Sequence, residues 1–216
     1  MKYNLEENYF YKYQKYKKKY LFAKQKKRFN QTGGNVQKEN IWIENNFFEE
    51  KDFNKIINYS KNLELKKDTR SNNRLSLCLK ENQHQEFYDM IYNNKKFIDY
   101  INSIKDDNLD IKLKPSFPVE YRKYFTGSRG MDWHQDTSLF DPDCFEIVLT
   151  LANNSDSEFK WFDGDKENSV SPKANTLAIV RPKSVLHSVT PVNSGERTIL
   201  KFVVEFVVKG NKDNTT

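Results

Sequence analysis

The stretch HSVTPVNSGER, residues 187–197, joins two hydrophobic runs and contains one of the three histidines of the chain. The run before it, TLAIVRP (176–182), and the run after it, TILKFVVEFVV (198–208), are both typical of buried β-strands. We therefore expect His187 in a connection between two strands, and Arg197 at the start of the second one. Both residue types are common in sites that bind metal ions or anions.

The first half of the chain has a different pattern from the second half. Amphipathic helices are predicted over 49–63 and 82–104, and alternating strands over 41–47 and 74–80. From residue 111 onward the chain becomes a series of short strands, the clearest being 145–152, 176–182 and 198–208, separated by polar loops of which 153–175 is the longest. Helices followed by many strands predict an α+β domain, with helices buttressing a barrel or a two-sheet sandwich.

A second candidate site lies in GMDWHQDTSLF, residues 130–140. If this segment is a strand, residues two apart point to the same face, so His134 and Asp136 share one face while Trp133 and Gln135 share the other. One imidazole and one carboxylate on a shared face provide two adjacent ligands for a divalent metal. The alternative is a surface turn made of unconnected polar residues.

A third ligand has to come from another part of the chain. His84 lies in a polar stretch at the start of a predicted helix and is expected at the surface, whereas His187 lies between two strands. Two imidazoles and one carboxylate with open positions form the facial triad of non-heme Fe(II) oxygenases. Arg197 can bind a carboxylate through two parallel hydrogen bonds. The charges of Fe(II), Asp136, Arg197 and a 2-oxoacid dianion cancel, as a site away from water requires.

These motifs resemble those of the iron(II)- and 2-oxoglutarate-dependent dioxygenases, and within them the prolyl 4-hydroxylase-like branch. The resemblance is carried by HQD (134–136), by the pattern H-x-V-x-P-V-x-x-G-x-R in 187–197, and by the 53-residue separation of the two histidines. IWIENNFFEEKDFNKIINYS (41–60) also resembles the opening strand and helix of that branch, so about residues 40–208 are covered. The resemblance implies a double-stranded β-helix, a jelly-roll or cupin-like barrel, buttressed by N-terminal helices.

The resemblance also implies a set of site residues and cofactors. The metal and catalytic residues would be His134, Asp136 and His187, and Arg197 would bind the far carboxylate of 2-oxoglutarate. Further contacts to that co-substrate are expected from Tyr124, Thr150 and Lys201. Tyr124 could instead be a tyrosine of the hydrophobic core, and the side chain of Lys201 could instead reach the rim of the barrel. The implied cofactors are Fe(II), 2-oxoglutarate, O2 and ascorbate.

The reaction implied is hydroxylation of an unactivated C–H bond with release of succinate and CO2. The substrate expected first is a protein side chain such as proline. Trp133, Trp161 and Phe162 could form an aromatic rim that binds an extended peptide. The alternative is that these three residues only pack against each other. Lysine, a free amino acid and nucleic acid are alternatives, as is a non-enzymatic metal-binding barrel used for partner attachment.

Two features of the chain depart from the pattern of its relatives. SEFKWFDGD (157–165) lacks the Gly-Gly-x-Leu turn found in many of them, so substrate preference does not carry over. Val203 stands where the nucleic-acid repair branch has a second arginine, which argues against base demethylation.

The net charge of +6 is concentrated in an N-terminal arm, because residues 1–34 hold ten Lys or Arg and two Glu, which gives +8. Four tyrosines of the arm fall on one helical face (Tyr9, Tyr13, Tyr16 and Tyr20), and Gly33–Gly34 follow as a joint. The arm resembles Tyr/Lys-rich segments of giant DNA virus proteins. It is interpreted either as a tether for nucleic acid or another acidic surface, or as a solvated helix that packs its tyrosines.

The predicted organisation is an arm over 1–35, a barrel domain with its helices over 36–209, and a polar tail over 210–216. No stretch approaches the roughly 18 consecutive apolar residues of a membrane span, and the N-terminus lacks the apolar core of a secretory signal. The two cysteines follow no metal or disulfide pattern. We therefore expect an intracellular protein, in the host cytoplasm or the virion if it is viral. The oligomeric state stays open.

Overall fold

The computed structural model describes residues 40–69, 71–112, 115–137 and 140–210. The predicted arm and most of the polar tail therefore lie outside the described residues. The helices are α1 (Glu50–Lys61), α2 (Gln85–Tyr92) and α3 (Lys95–Ile104). The strands are β1 (Ile41–Glu44), β2 (Lys66–Lys67), β3 (Arg74–Leu79), β4 (Leu109–Ile111), β5 (Val119–Phe125), β6 (Met131–His134), β7 (Phe145–Asn153), β8 (Phe159–Asp163), β9 (Lys166–Val170), β10 (Thr176–Val180), β11 (His187–Val189), β12 (Glu196–Val204) and β13 (Phe206–Val208). None of the helices in these ranges has the length and apolar character needed to span a membrane.

Two facing antiparallel sheets form the body of the domain. The larger sheet has seven strands in the order β1-β10-β7-β12-β5-β3-β2, and the smaller has four in the order β6-β11-β8-β9. Strands β4 and β13 make a separate pair. The strand order alternates between distant parts of the chain, as it does in a jelly roll. The prediction of an α+β jelly-roll barrel buttressed by N-terminal helices is therefore confirmed.

One face of the larger sheet packs against the helices. Along most of β7 and β12, every second residue is an apolar residue on this face, for example Leu149 on β7 and Leu200 on β12. These side chains belong to the same buried cluster as three helical residues: Ile56 of α1, Phe87 of α2 and Phe97 of α3. Full burial of a leucine or phenylalanine side chain contributes about 1.5–3 kcal/mol. This cluster fixes the larger sheet on a rigid helical support.

The opposite face of the larger sheet points toward the smaller sheet. Because side chains alternate along a strand, Val148 and Thr150 of β7 and Ile199 of β12 lie on this inner face, with Phe159 of β8 across from them. The space between the two sheets is the main cavity of the domain. Within the described residues, all the sequence-predicted site residues contribute to this space.

The predicted helix over 82–104 is wrong in its continuity. The structure has a short 3-10 turn, Glu81–Gln83, and then two helices separated at Asn93 and Asn94. The side chain of Asn94 accepts a hydrogen bond from the backbone N–H of Phe97 at 3.1 Å, so it caps the second helix. Asparagine is among the strongest residues at this position, and its capping overrides the continuous apolar pattern.

Two further expectations are corrected in the strand region. The predicted polar loop over 153–175 contains the hairpin of β8 and β9, which turns at Gly164 with φ +55°. The single strand predicted over 198–208 is divided at Glu205, a buried residue whose side chain accepts hydrogen bonds from Lys112 and Ser116. In both places a polar or glycine residue decides the local path of the backbone.

Candidate active site

The main cavity receives side chains from both sheets. The larger sheet provides Arg122, Tyr124, Glu146, Val148, Thr150, Ala178, Val180, Arg197, Ile199 and Lys201, and the smaller sheet with its connections provides Met131, His134, Asp136, Phe159, His187 and Val189. All seven sequence-predicted site residues are in this set.

Two histidines and one aspartate meet at the side of the cavity formed by the smaller sheet. His134 and His187 are direct cross-strand partners in β6 and β11, and their ring centroids are 4.3 Å apart. Oδ1 of Asp136 lies 3.4 Å from His134 Nε2, and Oδ2 lies 3.3 Å from His187 Nε2. One ligand atom from each residue falls within 4.8 Å of the others. The shared face predicted for His134 and Asp136 is present, although β6 ends at His134 and Asp136 follows it.

Backbone carbonyl groups orient both imidazoles. Nδ1 of His134 lies 2.6 Å from the carbonyl oxygen of Asp132, and Nδ1 of His187 lies 3.2 Å from that of Val185. A proton on each Nδ1 leaves Nε2 as the lone-pair donor directed at Asp136, which is the arrangement found in metal-binding histidines. Nε2 of His134 is buried and has no hydrogen bond of good geometry within the described part of the chain.

Proton affinities at this cluster differ from ordinary values. Burial alone would raise the pKa of Asp136, but the imidazoles of His134 and His187 beside it hold that pKa well below its usual range. Burial would lower the pKa of His134, but the Asp136 carboxylate and the Asp132 carbonyl raise it above 6.5. Asp136 is therefore an ionised carboxylate, as a metal ligand has to be.

Arg197 lies on the inner face of β12, and its side chain is directed into the same cavity. The residue is only 7% exposed, and its Nε and Nη1 atoms have no hydrogen-bond partner among the described residues. Burial lowers its pKa, and Tyr124 opposes this effect, but a guanidinium remains charged in proteins. A buried cation without a partner is costly, so the cavity is prepared for an anion at this point.

Tyr124 is paired with Arg197 across β5 and β12 and is surrounded by guanidinium groups. The Arg197 guanidinium carbon lies 5.5 Å from the ring centroid and that of Arg74 5.7 Å, while Arg122 Nη1 lies 3.5 Å from the hydroxyl oxygen. Burial would raise the pKa of Tyr124, but the three arginines together lower it. A more acidic hydroxyl is a stronger hydrogen-bond donor to a carboxylate.

The other cations of the cavity already have carboxylate partners. Nζ of Lys201 lies 2.8 Å from Oε2 of Glu146 on the neighbouring strand, and Arg122 forms an ion pair with Glu120. Among the described cavity residues, Arg197 is thus the cation that has no carboxylate. Thr150, also on the inner face, is 1% exposed.

The remaining predicted residues lie outside the cavity lining. His84 is half-buried rather than exposed, with Nδ1 3.0 Å from the hydroxyl oxygen of Tyr59. The ring of Trp133 packs 4.8 Å from that of Phe162, and Trp161 stacks at 5.7 Å on Phe159. Of these aromatic residues it is Phe159 that faces the cavity.

Sequence reasoning missed Phe159, Met131, Arg122 and Glu146 as cavity residues. Arg122 lies two residues before Tyr124, and Glu146 lies two before Val148 and four before Thr150. Extending the two-residue period along β5 and β7 from the residues already chosen would have found both. Phe159 lies two residues before Trp161, chosen as a rim residue on the same strand, and would have been found in the same way. Met131 lies three residues before His134 and falls outside this period.

Comparison with known proteins identifies the fold. A scan against protein-family models found no match, and a sequence search of curated proteins found none. Solved structures do match. A prolyl hydroxylase from Trichoplax adhaerens, in complex with a hypoxia inducible factor peptide fragment, has a TM-score of 0.57 at 15% identity, covering 76% of this chain and 83% of that one.

Two further structures extend the range of relatives. The viral collagen prolyl hydroxylase of Paramecium Bursaria Chlorella virus-1, in a 2OG complex, has a TM-score of 0.52 at 19% identity, covering 79% of this chain and 97% of that one. HygX from Streptomyces hygroscopicus, with nickel, 2-oxoglutarate and hygromycin B bound, has a TM-score of 0.59 at 7% identity, covering 80% and 84%. The chain therefore has the fold of the 2OG-Fe(II) oxygenases, and the resemblance inferred from the motifs is confirmed at the level of the fold.

Proposed function

We propose that this protein is an Fe(II)- and 2-oxoglutarate-dependent oxygenase that hydroxylates an unactivated C–H bond. One observation carries the proposal: the cavity that receives His134, Asp136 and His187 also receives the buried, unpartnered guanidinium of Arg197. A metal site combined with a separate carboxylate site is what a chelating 2-oxoacid with a distal carboxylate requires.

The metal-ligand set fits Fe(II). Two imidazoles oriented through Nδ1 and one ionised carboxylate provide three donors and leave other coordination positions open, which is the pattern of non-heme Fe(II) oxygenases. When bound, iron and 2-oxoglutarate would supply the O2-dependent oxidation, with succinate and CO2 released. The protein contributes binding, orientation and the exclusion of water.

The larger sheet would hold the co-substrate. Arg197 would bind the distal carboxylate through its guanidinium group, whose Nε and Nη1 atoms have no hydrogen-bond partner among the described residues, and the acidified hydroxyl of Tyr124 would donate to the same carboxylate. Thr150, buried on the adjacent strand, is a further candidate donor. Lys201 is a weaker candidate, because its ammonium group would have to leave Glu146 at 2.8 Å.

Apart from the ion-paired side chains of Arg122 and Glu146, the rest of the cavity lining is apolar. Val148 and Ile199 on the larger sheet face Phe159 and Val189 on the smaller one. These side chains exclude water around the reacting groups, which strengthens the electrostatic interactions of Arg197 and Asp136.

We further propose that the hydroxylated group is an uncharged protein side chain, with proline first. The cavity cations other than Arg197 already have carboxylate partners, so 2-oxoglutarate would complete the charge balance and leave no net charge for a charged target. Two of the similar structures are prolyl hydroxylases, one of them holding a peptide. Lysine, a free amino acid and nucleic acid are the competing substrates, and a non-enzymatic metal-binding barrel is the competing class.

The first experiment is an anaerobic titration with Fe(II) and 2-oxoglutarate, monitored by the visible charge-transfer band of the chelate. We expect a band that is lost in His187→Ala and weakened in Arg197→Ala. The matched control is His84→Ala, which removes a histidine that does not line the cavity and should leave the band unchanged. If the folded wild-type protein gives no band, the oxygenase proposal fails and the non-enzymatic barrel takes its place.

Substrate class is tested by succinate production. Stimulation by proline-rich peptides and not by oligonucleotides would support the protein substrate, and the opposite result would reject it.

Removal of residues 1–34 tests the arm, for which we propose attachment to nucleic acid or another partner. Activity that survives this deletion while partner binding is lost would assign the arm to attachment alone.

A further inference from the structure

A second pocket adjoins the main cavity. The two share Tyr124 and Met131 as a common wall. The remaining lining of this side pocket is polar and basic: Thr69, Ser71, Asn72, Arg74, Arg129 and Gly130. Its volume of about 380 Å³ lies within the range of small-molecule sites. None of these six residues lines the main cavity.

The backbone around the side pocket is held in place by side-chain hydrogen bonds. Oδ2 of Asp68 accepts from Arg74 Nε at 3.0 Å, from Arg74 Nη2 at 2.6 Å and from Ser76 Oγ at 2.8 Å. Across the pocket, Nδ2 of Asn73 donates to the carbonyl of Thr126 at 3.1 Å. The Asp68 bonds hold the β2–β3 hairpin together, and the Asn73 bond connects it to the segment after β5, so the pocket is formed in advance of any ligand.

The charge of the side pocket is positive. Arg74 is neutralised by Asp68, whose side chain is 2% exposed. Arg129 is exposed and has no carboxylate partner within the described ranges. The neighbouring Thr69, Ser71 and Asn72 provide hydroxyl and amide groups that can donate to an oxyanion. One accessible cation among neutral donors suits one carboxylate.

Met131 connects the two pockets. It is 46% exposed, the highest fraction among the exposed large apolar side chains of the described residues, and it lines both spaces. A polypeptide passing from one pocket to the other would cover it. A nucleic acid would require several phosphate contacts and stacking surfaces. Among its described lining residues the side pocket offers one unpaired cation, and its aromatic residue, Tyr124, is enclosed by arginines.

We propose that the side pocket binds an acidic side chain of a polypeptide substrate, with Arg129 as the specificity-determining residue. This inference rests on the proposed function, because the same polypeptide places its target residue in the main cavity. The preferred substrate is therefore a peptide in which an aspartate or glutamate lies at a fixed distance from the hydroxylated residue.

The test measures peptide binding to the full chain without turnover. Fluorescein-labelled proline peptides, in which a single glutamate is moved stepwise along the sequence, are compared with their glutamine counterparts by anisotropy, with Fe(II) and 2-oxoglutarate present under anaerobic conditions. One glutamate position should bind about tenfold more tightly than glutamine, as expected of a charge-assisted hydrogen bond. Arg129→Gln should remove this preference, and Arg129→Glu should transfer it to lysine at the same position.

The matched control is Lys51→Glu, which makes the same charge reversal at an exposed cation on α1, the helix behind the larger sheet. This variant should retain the glutamate preference. The inference is overturned if no position favours glutamate, if the preference persists in Arg129→Gln, or if an oligonucleotide and not a peptide binds in an Arg129-dependent way. The charge-transfer band of the wild-type samples is recorded in parallel, so that failure of the metal site is distinguished from failure of the side pocket.

Discussion

Replacement of Gly130 by alanine tests how the neighbouring strands β6 and β11 of the smaller sheet bring the candidate metal ligands together. Gly130 precedes β6, and a Cβ atom at this position would lie 2.0 Å from the carbonyl oxygen of Val189, 2.6 Å from the carbonyl carbon of Thr190 and 2.8 Å from the nitrogen of Pro191. All three atoms belong to the backbone at and after β11, so no side chain can rotate away. Moving from 2.0 Å to the 3.4 Å of ordinary contact requires about 1.4 Å of displacement between the two strands.

The displacement acts directly on the candidate metal site, because β6 carries His134 and β11 carries His187, its cross-strand partner. A misplacement of about 1 Å is enough to spoil a functional constellation. We expect Gly130→Ala to lower metal affinity at least as much as loss of a supporting contact does, about 10–100-fold. The free energy of unfolding should fall by about 1–3 kcal/mol, as for other overpacked sites. Anaerobic calorimetric titration with Fe(II) and denaturant unfolding measure the two effects.

Gly164→Ala is the matched control. Gly164 has φ +55°, so alanine there is strained, but a Cβ would meet no atom within 4 Å. This variant should lose stability through the turn of the β8–β9 hairpin and keep wild-type metal affinity. If Gly130→Ala binds metal as tightly as Gly164→Ala, the close approach of β6 and β11 does not position the histidines and the reasoning is refuted.

Three other predictions concern the same cavity. Arg197→Met should weaken 2-oxoglutarate binding about thirtyfold or more, from a loss of about 2 kcal/mol or more, and leave metal binding measured alone intact; a parallel loss of both would contradict it. The pKa of His134 is raised above 6.5, so below that pKa a metal ion has to displace a proton, and metal affinity should fall by up to about tenfold per pH unit. The metal-free protein should instead lose stability as the pH rises through the same pKa. Metal titrations and thermal unfolding across pH measure the two effects. The backbone N–H of Lys183, a residue with φ +60°, donates to the backbone carbonyl of Asp136 at 2.9 Å. Lys183→Pro removes this donor and should weaken metal binding, whereas Lys183→Gly keeps it and should not. Equal metal affinities of the two variants would show that this hydrogen bond does not position Asp136.

Spacing, ligand chemistry and the family resemblance selected seven residues that the structure brings to one cavity. His134 and Asp136 were placed on one face by their spacing alone, because side chains alternate along a strand, and Arg197 was chosen because a 2-oxoacid with a distal carboxylate requires a fixed cation. The pattern did not reveal which carboxylate each cation would meet. Lys201 lies opposite Val148 and diagonal to Glu146, and this register follows a bulge between Thr198 and Ile199. Cross-strand partners depend on register, which no local signal encodes.

Errors in the secondary structure had a similar origin. The apolar pattern over 82–104 runs through Asn93 and Asn94 without interruption, so the periodicity predicted one helix, whereas a single capping hydrogen bond of Asn94 divides it. The side pocket gave no sequence signal at all. It is formed by the β2–β3 turn and the segment around Arg129. Hydrogen bonds join these segments between residues 53 and 55 positions apart, and such contacts become visible only in the folded protein.

The stretch 187–197 links the two halves of the site. His187 begins β11 of the smaller sheet and Arg197 lies on β12 of the larger sheet, so the residues between them cross from one sheet to the other. This crossing is rigid: Asp156 Oδ1 accepts from the N–H groups of Asn193 and Ser194 at 2.9 and 3.0 Å, and Gly195 has φ +73° with Asn154 closely packed against it. In the proposed oxygenase, this segment would help to fix the separation between the metal and the distal carboxylate. We therefore expect the choice of co-substrate to depend on the length and turn of this segment.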